Sequence, residues 1–230
     1  LKLVNILLTL VTSLGSVMLP RVSNLLSSGD HKAVNKMHQM SFLIYNLVIF
    51  PMMAGILIVN ADFVQFFLGQ DFQDARYAIA IMIFRMFFIG WTNIMGIQIL
   101  IPHNRNKEFM ISTTAPAIIS VGLNLLFLPK LGYIGAAIVS VLTEALVWAI
   151  QLYFTRRYLK EVPIIGSMTK IILASAIMYG ILLGSKTVIH FSPTLNVLVF
   201  AVLGGIIYLF AILSLKVVDV KELKQIVGKK

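Results

Sequence analysis

GIQILIPHNRNKEFMISTTAPAIISVGLNLLFLPKLGYIGAAIVSVLTEALVWAIQLYFTRR, from Gly96 to Arg157, contains two apolar runs joined by a short connector, Pro129-Lys130-Leu131-Gly132-Tyr133-Ile134-Gly135. Each run matches the ~20 residues that a helix needs to cross a hydrocarbon core. Glu144 lies near the middle of the second run. A carboxylate at that depth is costly against lipid, so it must face protein or a water-filled cavity.

Outward from this stretch the pattern repeats. The chain is 59% hydrophobic and 12% charged, with a mean hydropathy of +0.92. A water-soluble domain carries about 25% charge. So little charge cannot cover a water-facing surface, and lipid must do so instead. The apolar runs are too long for barrel strands and lack their two-residue alternation. The fold class is therefore an all-α membrane protein. With no cysteine, disulfides and thiolate metal sites are excluded.

Seven spans are expected: Leu3–Pro20, Gln39–Asn60, Tyr77–Ile101, Phe109–Pro129, Ile134–Thr155, Thr169–His190 and Asn196–Val218. The first begins at Leu1 without a basic leader or a cleavage site, so it reads as a span of a longer chain rather than a signal peptide. Of 19 basic residues, fourteen fall on one side of this arrangement, four on the other, and Arg85 lies within a span. The basic side is the cytoplasmic one. The carboxyl terminus is thus expected in the cytoplasm, and the net charge of +10 is mostly a topology signal. The basic residues are spread over three loops and the tail without a recognition motif, so nucleic acid is not an expected partner.

Asp30 is placed to cap a short interfacial helix through Met37, and Asp74 to cap the third span. Pro51 and Pro116 interrupt the backbone bonding of their spans. Gly180 and Gly184 in the sixth span and Gly204-Gly205 in the seventh form small-residue faces on which the last two spans are expected to pack. His31, His38 and His103 are assigned to cytoplasmic loops and His190 to the outside. None has carboxylates at ligand spacing, so no metal site is expected. No HExxH, GxSxG or phosphate-binding loop is present, so no enzyme and no cofactor are expected either.

The candidate site residues are the polar ones inside spans. Arg85 lies about 6 Å outward of its span's centre, at ~1.5 Å per residue. One reading pairs it with Glu144 as a structural ion pair. The other has Arg85 meeting an anionic substrate while Glu144 takes part in ion coupling. Asn93, Asn124 and Gln151 are further cavity candidates, Gln98 belongs to the same polar set, and the alternative for all four is interhelical hydrogen bonding.

The connector Leu128-Pro129-Lys130-Leu131-Gly132-Tyr133-Ile134-Gly135-Ala136-Ala137 resembles the IPxxGxxGAA element of Wzx-type polysaccharide flippases. These belong to the multidrug/oligosaccharidyl-lipid/polysaccharide exporter superfamily. Gln98-Ile99-Leu100-Ile101-Pro102, Asn124 in LNLLFLP and Thr143-Glu144 in VLTEALVWAIQ are similar to the same pattern. So are Leu19-Pro20-Arg21-Val22-Ser23 and Phe67-Leu68-Gly69-Gln70-Asp71-Phe72. The resemblance implies fourteen helices in two lobes around a central cavity, of which these seven spans match helices 8–14. On that reading residues 1–160 form an incomplete carboxyl-terminal lobe, and residues 161–230 add two spans and a basic cytoplasmic tail.

The resemblance further implies a flippase in the cytoplasmic membrane that translocates an undecaprenyl-diphosphate-linked oligosaccharide. Its partners are then the lipid-linked oligosaccharide, the bilayer, the amino-terminal half of the transporter, a polysaccharide polymerase and glycosyltransferases. Two alternatives stand beside it. One is a drug/cation antiporter of the same superfamily, against which Arg85 argues because cationic cargo favours carboxylates. The other is a non-transporting membrane scaffold subunit.

Overall fold

The computed structural model describes residues 18–188 and 191–217. These residues are helical throughout, with no strand among them. Residues 18–27 form α1, followed by α2 (His31–Leu68), a 3-10 turn (Gln70–Phe72) and α3 (Ala75–Asn93), which continues as a π-helical segment (Ile94–Leu100). Then come α4 (Asn106–Leu159), α5 (Ile165–Lys186) and α6 (Pro193–Ser214). Five of these stretches are long and apolar enough to span a membrane. One, α4, is broken at Gly132, whose φ of 53° and ψ of −135° turn the chain there. It therefore supplies the two apolar segments expected on either side of the connector. The expected span Leu3–Pro20 lies outside the described residues except for its last three.

Four expectations change. No separate helix ends at Met37, because no glycine or proline interrupts the chain there and α2 runs on to Leu68. Asp30 still caps it, accepting a hydrogen bond from the Ala33 amide at 3.0 Å. His38 is therefore a buried helical residue rather than a loop residue. Asp74 makes no side-chain cap to α3, and its carbonyl instead accepts from the Tyr133 hydroxyl at 3.3 Å. Pro129 does not end its helix, since the break comes three residues later, at Gly132.

The chain forms two compact units. Among the described residues, one holds those up to Ile49 together with Gln73–Ile164; the other holds Phe50–Phe72 and those from Ile165 onward. In the first unit Phe42, Tyr45 and Ile49 lie at helical spacing on α2 and are buried, as are Ile83, Met86 and Trp91 on α3. Gly90 belongs to the same layer because a Cβ there would run into the Tyr45 ring. The Tyr45 hydroxyl donates to the Met86 carbonyl, and Trp91 Nε1 donates to Asn46 Oδ1 at 3.1 Å. Lipid tails are as apolar as these side chains, so close packing and such hydrogen bonds hold the helices together.

In the second unit α5 presents Ile171, Ala174, Ser175, Met178 and Leu182 to α6, which presents Phe200, Gly204, Tyr208 and Ala211. The pair packs as expected, and of the four glycines expected at this contact only Gly204 is closely approached. A Cβ on Gly204 would lie 3.2 Å from Leu182 Cδ1, whereas Gly180 and Gly184 have nothing within 4 Å. At one end of this unit Lys186 Nζ lies 2.9 Å from Asp62 Oδ2 and donates to the Ile58 carbonyl at 2.6 Å. Asn196 Nδ2 donates to Asp62 Oδ1 at 2.9 Å, and Asn196 Oδ1 accepts from the Phe191 amide at 3.2 Å. This network ties together α2, α5 and α6.

Candidate functional site

Arg85 and Glu144 meet across the interface of α3 with the second segment of α4. Arg85 Nη2 lies 2.9 Å from Glu144 Oε1, and Nε donates to the same oxygen at 3.2 Å. Their side chains keep 23% and 19% of their exposure, so neither is sealed inside the unit. A charged pair in the apolar part of a span is tolerated because the attraction between the partners offsets part of the desolvation cost of each. Glu144 Oε2 has no part in these bonds and remains an acceptor.

One turn along, Phe88 and Trp148 pack with ring centroids 5.8 Å apart, and Trp148 also meets Trp91 at 6.3 Å. Phe88 follows Arg85 by three residues and Trp148 follows Glu144 by four, so the aromatic layer is stacked directly on the ion pair. Trp148 Nε1 is buried with no acceptor.

Beyond the aromatics lies a polar layer built around the π-helical segment. Its altered spacing turns Gly96 toward α4, where a Cβ would lie 2.6 Å from the Phe109 ring and 3.1 Å from Gln151 Nε2. Gln151 is buried and donates to Ser112 Oγ at 3.2 Å, while its Oε1 has no donor. On the opposite side of the segment, Gln98 Oε1 accepts from Ser41 Oγ at 2.7 Å. Its carbonyl lies 3.1 Å from His38 Nε2, leaving buried His38 Nδ1 without a partner. His38 and Ser41 escape a reading of the sequence alone. They face inward only once α2 is known to be unbroken from His31.

The five candidates do not form one constellation. Arg85 joins Glu144, and Gln151 joins Ser112 near Gly96. Asn124 Nδ2 bonds back to the Ser120 carbonyl of its own helix at 2.9 Å. Asn93 is half-buried at the junction of α3 with the π-helical segment and makes no side-chain cap there.

At the loop end of this unit Asn35 Nδ2 donates to Glu161 Oε2 at 2.7 Å. Arg105 is fixed by Glu108 Oε1 at 2.6 Å and by the Phe154 carbonyl at 3.1 Å. Lys32, Lys36, Lys107, Arg156, Arg157 and Lys160 flank these contacts in sequence, and Arg76 and Lys130 lie by the Asp74–Tyr133 contact at the other end. Among the described residues no group of histidine and carboxylate side chains is arranged to hold a metal.

Residues 5–226 match the protein family described as lipid II flippase MurJ. The chain belongs to the MurJ family. That places it in the exporter superfamily indicated by the Pro129–Ala137 connector, in a family of transporters rather than enzymes. An uncharacterised membrane protein from Methanocaldococcus jannaschii is 26% identical over 226 residues, covering 98% of this chain and 44% of its own. A putative O-antigen transporter of Escherichia coli strain K12 is 27% identical over 157 residues, covering 66% of this chain and 36% of its own. The solved structure of a lipid II flippase MurJ in an inward closed conformation superposes with a TM-score of 0.77 at 19% identity. It covers 91% of this chain and 44% of that one, and shows that the helical fold is shared. The chain thus spans less than half the length of the relatives it matches.

Proposed function

We propose that this chain is the carboxyl-terminal half of a flippase that moves an undecaprenyl-diphosphate-linked oligosaccharide across the cytoplasmic membrane. Membership of the MurJ family supports a lipid-linked cargo, and similarity to a putative O-antigen transporter supports an oligosaccharide as its head. On this reading the first lobe precedes the chain, the five spans up to about residue 160 belong to the second lobe, and α5 and α6 are additional helices. Substrate occupies the space between lobes, which rock to alternate access.

The observation that carries the reading is the partly exposed Arg85–Glu144 pair at span depth. A diphosphate crossing the membrane needs a cation to replace lost hydration, and Arg85 supplies one. Glu144 holds Arg85 in place between cargoes. As the phosphate draws Arg85 away, Glu144 is released to take up a cation or proton. The charge network thereby links cargo to ion.

The test is a charge exchange in the complete transporter. Arg85→Glu and Glu144→Arg are made singly and together, with membrane abundance and surface polysaccharide measured for each. Single variants lose surface polymer. The expected double variant regains normal abundance, because the pair can still form, but regains no transport. Restored polymer in the double variant makes the pair purely structural and removes it from the mechanism. Deletion of the gene with no change in surface polysaccharide overturns the flippase reading itself.

A further inference from the structure

The turn between the π-helical segment and α4 carries His103 in a fixed position. Its amide donates to the Ile99 carbonyl at 3.3 Å, and its Nδ1 lies 2.7 Å from the same oxygen. Asn104 follows at a φ of 57°, a left-handed conformation that asparagine tolerates better than most residues. The imidazole packs against the Tyr158 ring with centroids 4.1 Å apart. Because Nδ1 donates its proton to Ile99, Nε2 is the nitrogen left for another partner.

The charges around that ring are unbalanced. Arg157, His31 and Arg105 all lie close enough to disfavour a proton on His103. The nearby carboxylate, Glu108, is committed to Arg105 by hydrogen bonds of 2.6 and 2.9 Å. Arg157 donates to the Tyr158 hydroxyl and is in no ion pair among the described residues. Orientation by loop charge needs only a number of cations near a span. It does not require a histidine pinned at both its amide and its ring beside an arginine held on the same tyrosine.

We propose that His103 and Arg157, held together on Tyr158, form a binding site for a phosphate group at the membrane surface. The donor set fits that chemistry. Arg157 offers a planar fork for two phosphate oxygens, and the His103 imidazole adds a single donor through Nε2. The depth fits as well, since the turn separates two membrane-length apolar stretches, Ala75–Leu100 and the first segment of α4. Headgroup phosphate is the abundant anion at that level. The site stands on this geometry and does not depend on the transport reading.

The complete transporter, labelled with 13C at histidine Cε1, is held in maltoside detergent, which carries no phosphate. The His103 signal is assigned from the His103→Gln variant and followed against pH. Inorganic pyrophosphate is added to one sample, and phosphatidylglycerol is incorporated in another. Either probe is expected to move the His103 titration upward. A response to phosphatidylglycerol identifies a lipid headgroup as the source; a response to pyrophosphate identifies a free phosphate group.

Arg157→Gln, at an exposed position where folding is not threatened, is expected to weaken the response about tenfold through loss of a charge-assisted hydrogen bond. Arg156→Gln, whose guanidinium lies over Tyr153 instead, leaves it intact. No displacement with either probe, or equal losses in the two arginine variants, overturns the site.

Discussion

His103 ties local charge to pH response. Burial is the main cause that lowers its proton affinity, and Arg157, His31 and Arg105 add to it, partly offset by the bond to the Ile99 carbonyl. The folded protein therefore holds fewer protons at this position than the unfolded chain, between the lowered value and the ordinary 6.5. Stability from this residue is intact above that window and is lost as the pH falls through it. Thermal unfolding of the detergent-solubilised transporter is expected at lower temperature at pH 5 than at pH 7, and part of that decline disappears in His103→Gln. An unchanged pH slope in the variant means that the imidazole is already solvated as in the unfolded chain.

The same scale shows which side chains the sequence made legible. Arg85 and Glu144 stood out because charge is rare in an apolar run, and that scarcity also pointed to their pairing. His38 did not stand out. It sits close to Lys32 and Lys36, and a histidine among lysines reads as solvated until the helix through it is known to be continuous.

At the scale of elements, glycines mark which contacts are tight. Gly132 holds a positive φ at the break in α4, and a Cβ on Gly135 would lie 2.6 Å from the Phe127 carbonyl oxygen. Gly132→Ala strains the backbone by roughly 1–3 kcal/mol. Gly135→Val forces the two segments of α4 apart, at a cost of about 1–3 kcal/mol. Both are expected to lower the unfolding temperature of the transporter, and Gly204→Leu does so by colliding with Leu182 and Met178. Gly180→Ala and Gly184→Ala are expected to leave it unchanged or slightly raised, since nothing lies within 4 Å of either. Differential scanning fluorimetry on the five variants checks this ranking. A large loss in the Gly180 and Gly184 variants contradicts the packing described for α5 and α6.

The contrast explains a partial success of sequence reasoning. The connector was legible because proline, glycine and small residues in that order constrain the backbone directly. The GxxxG spacing identified a small face on α5, but spacing alone does not say which neighbour lies against it. The π-helical segment left no such mark, because Ile94–Leu100 has the apolar composition of an ordinary helix and its extra residue per turn depends on what packs around Gly96 and Gln98.

Across the whole molecule, the order of spans was readable from hydropathy because an apolar stretch of ~20 residues has few other uses. The two compact units were not, since one of them joins Phe50–Phe72 to helices more than ninety positions later through Asp62, Lys186 and Asn196. Such pairings leave no periodic trace. Sidedness makes a sharper demand. The contact between Asn35 and Glu161 collects the basic turns of the first unit at one end, while that between Tyr133 and Asp74 marks the other. From loop charge we propose that the first end is cytoplasmic. The chain itself has no cysteine, so single cysteines give a direct check in a transporter freed of any others. Lys130→Cys, beside the break in α4, is expected to react with a membrane-impermeant maleimide on intact cells. Arg156→Cys and Lys160→Cys are expected to react only after the membrane is permeabilised. Reaction of Arg156→Cys on intact cells inverts the topology. It would place the site around His103 on the outer face.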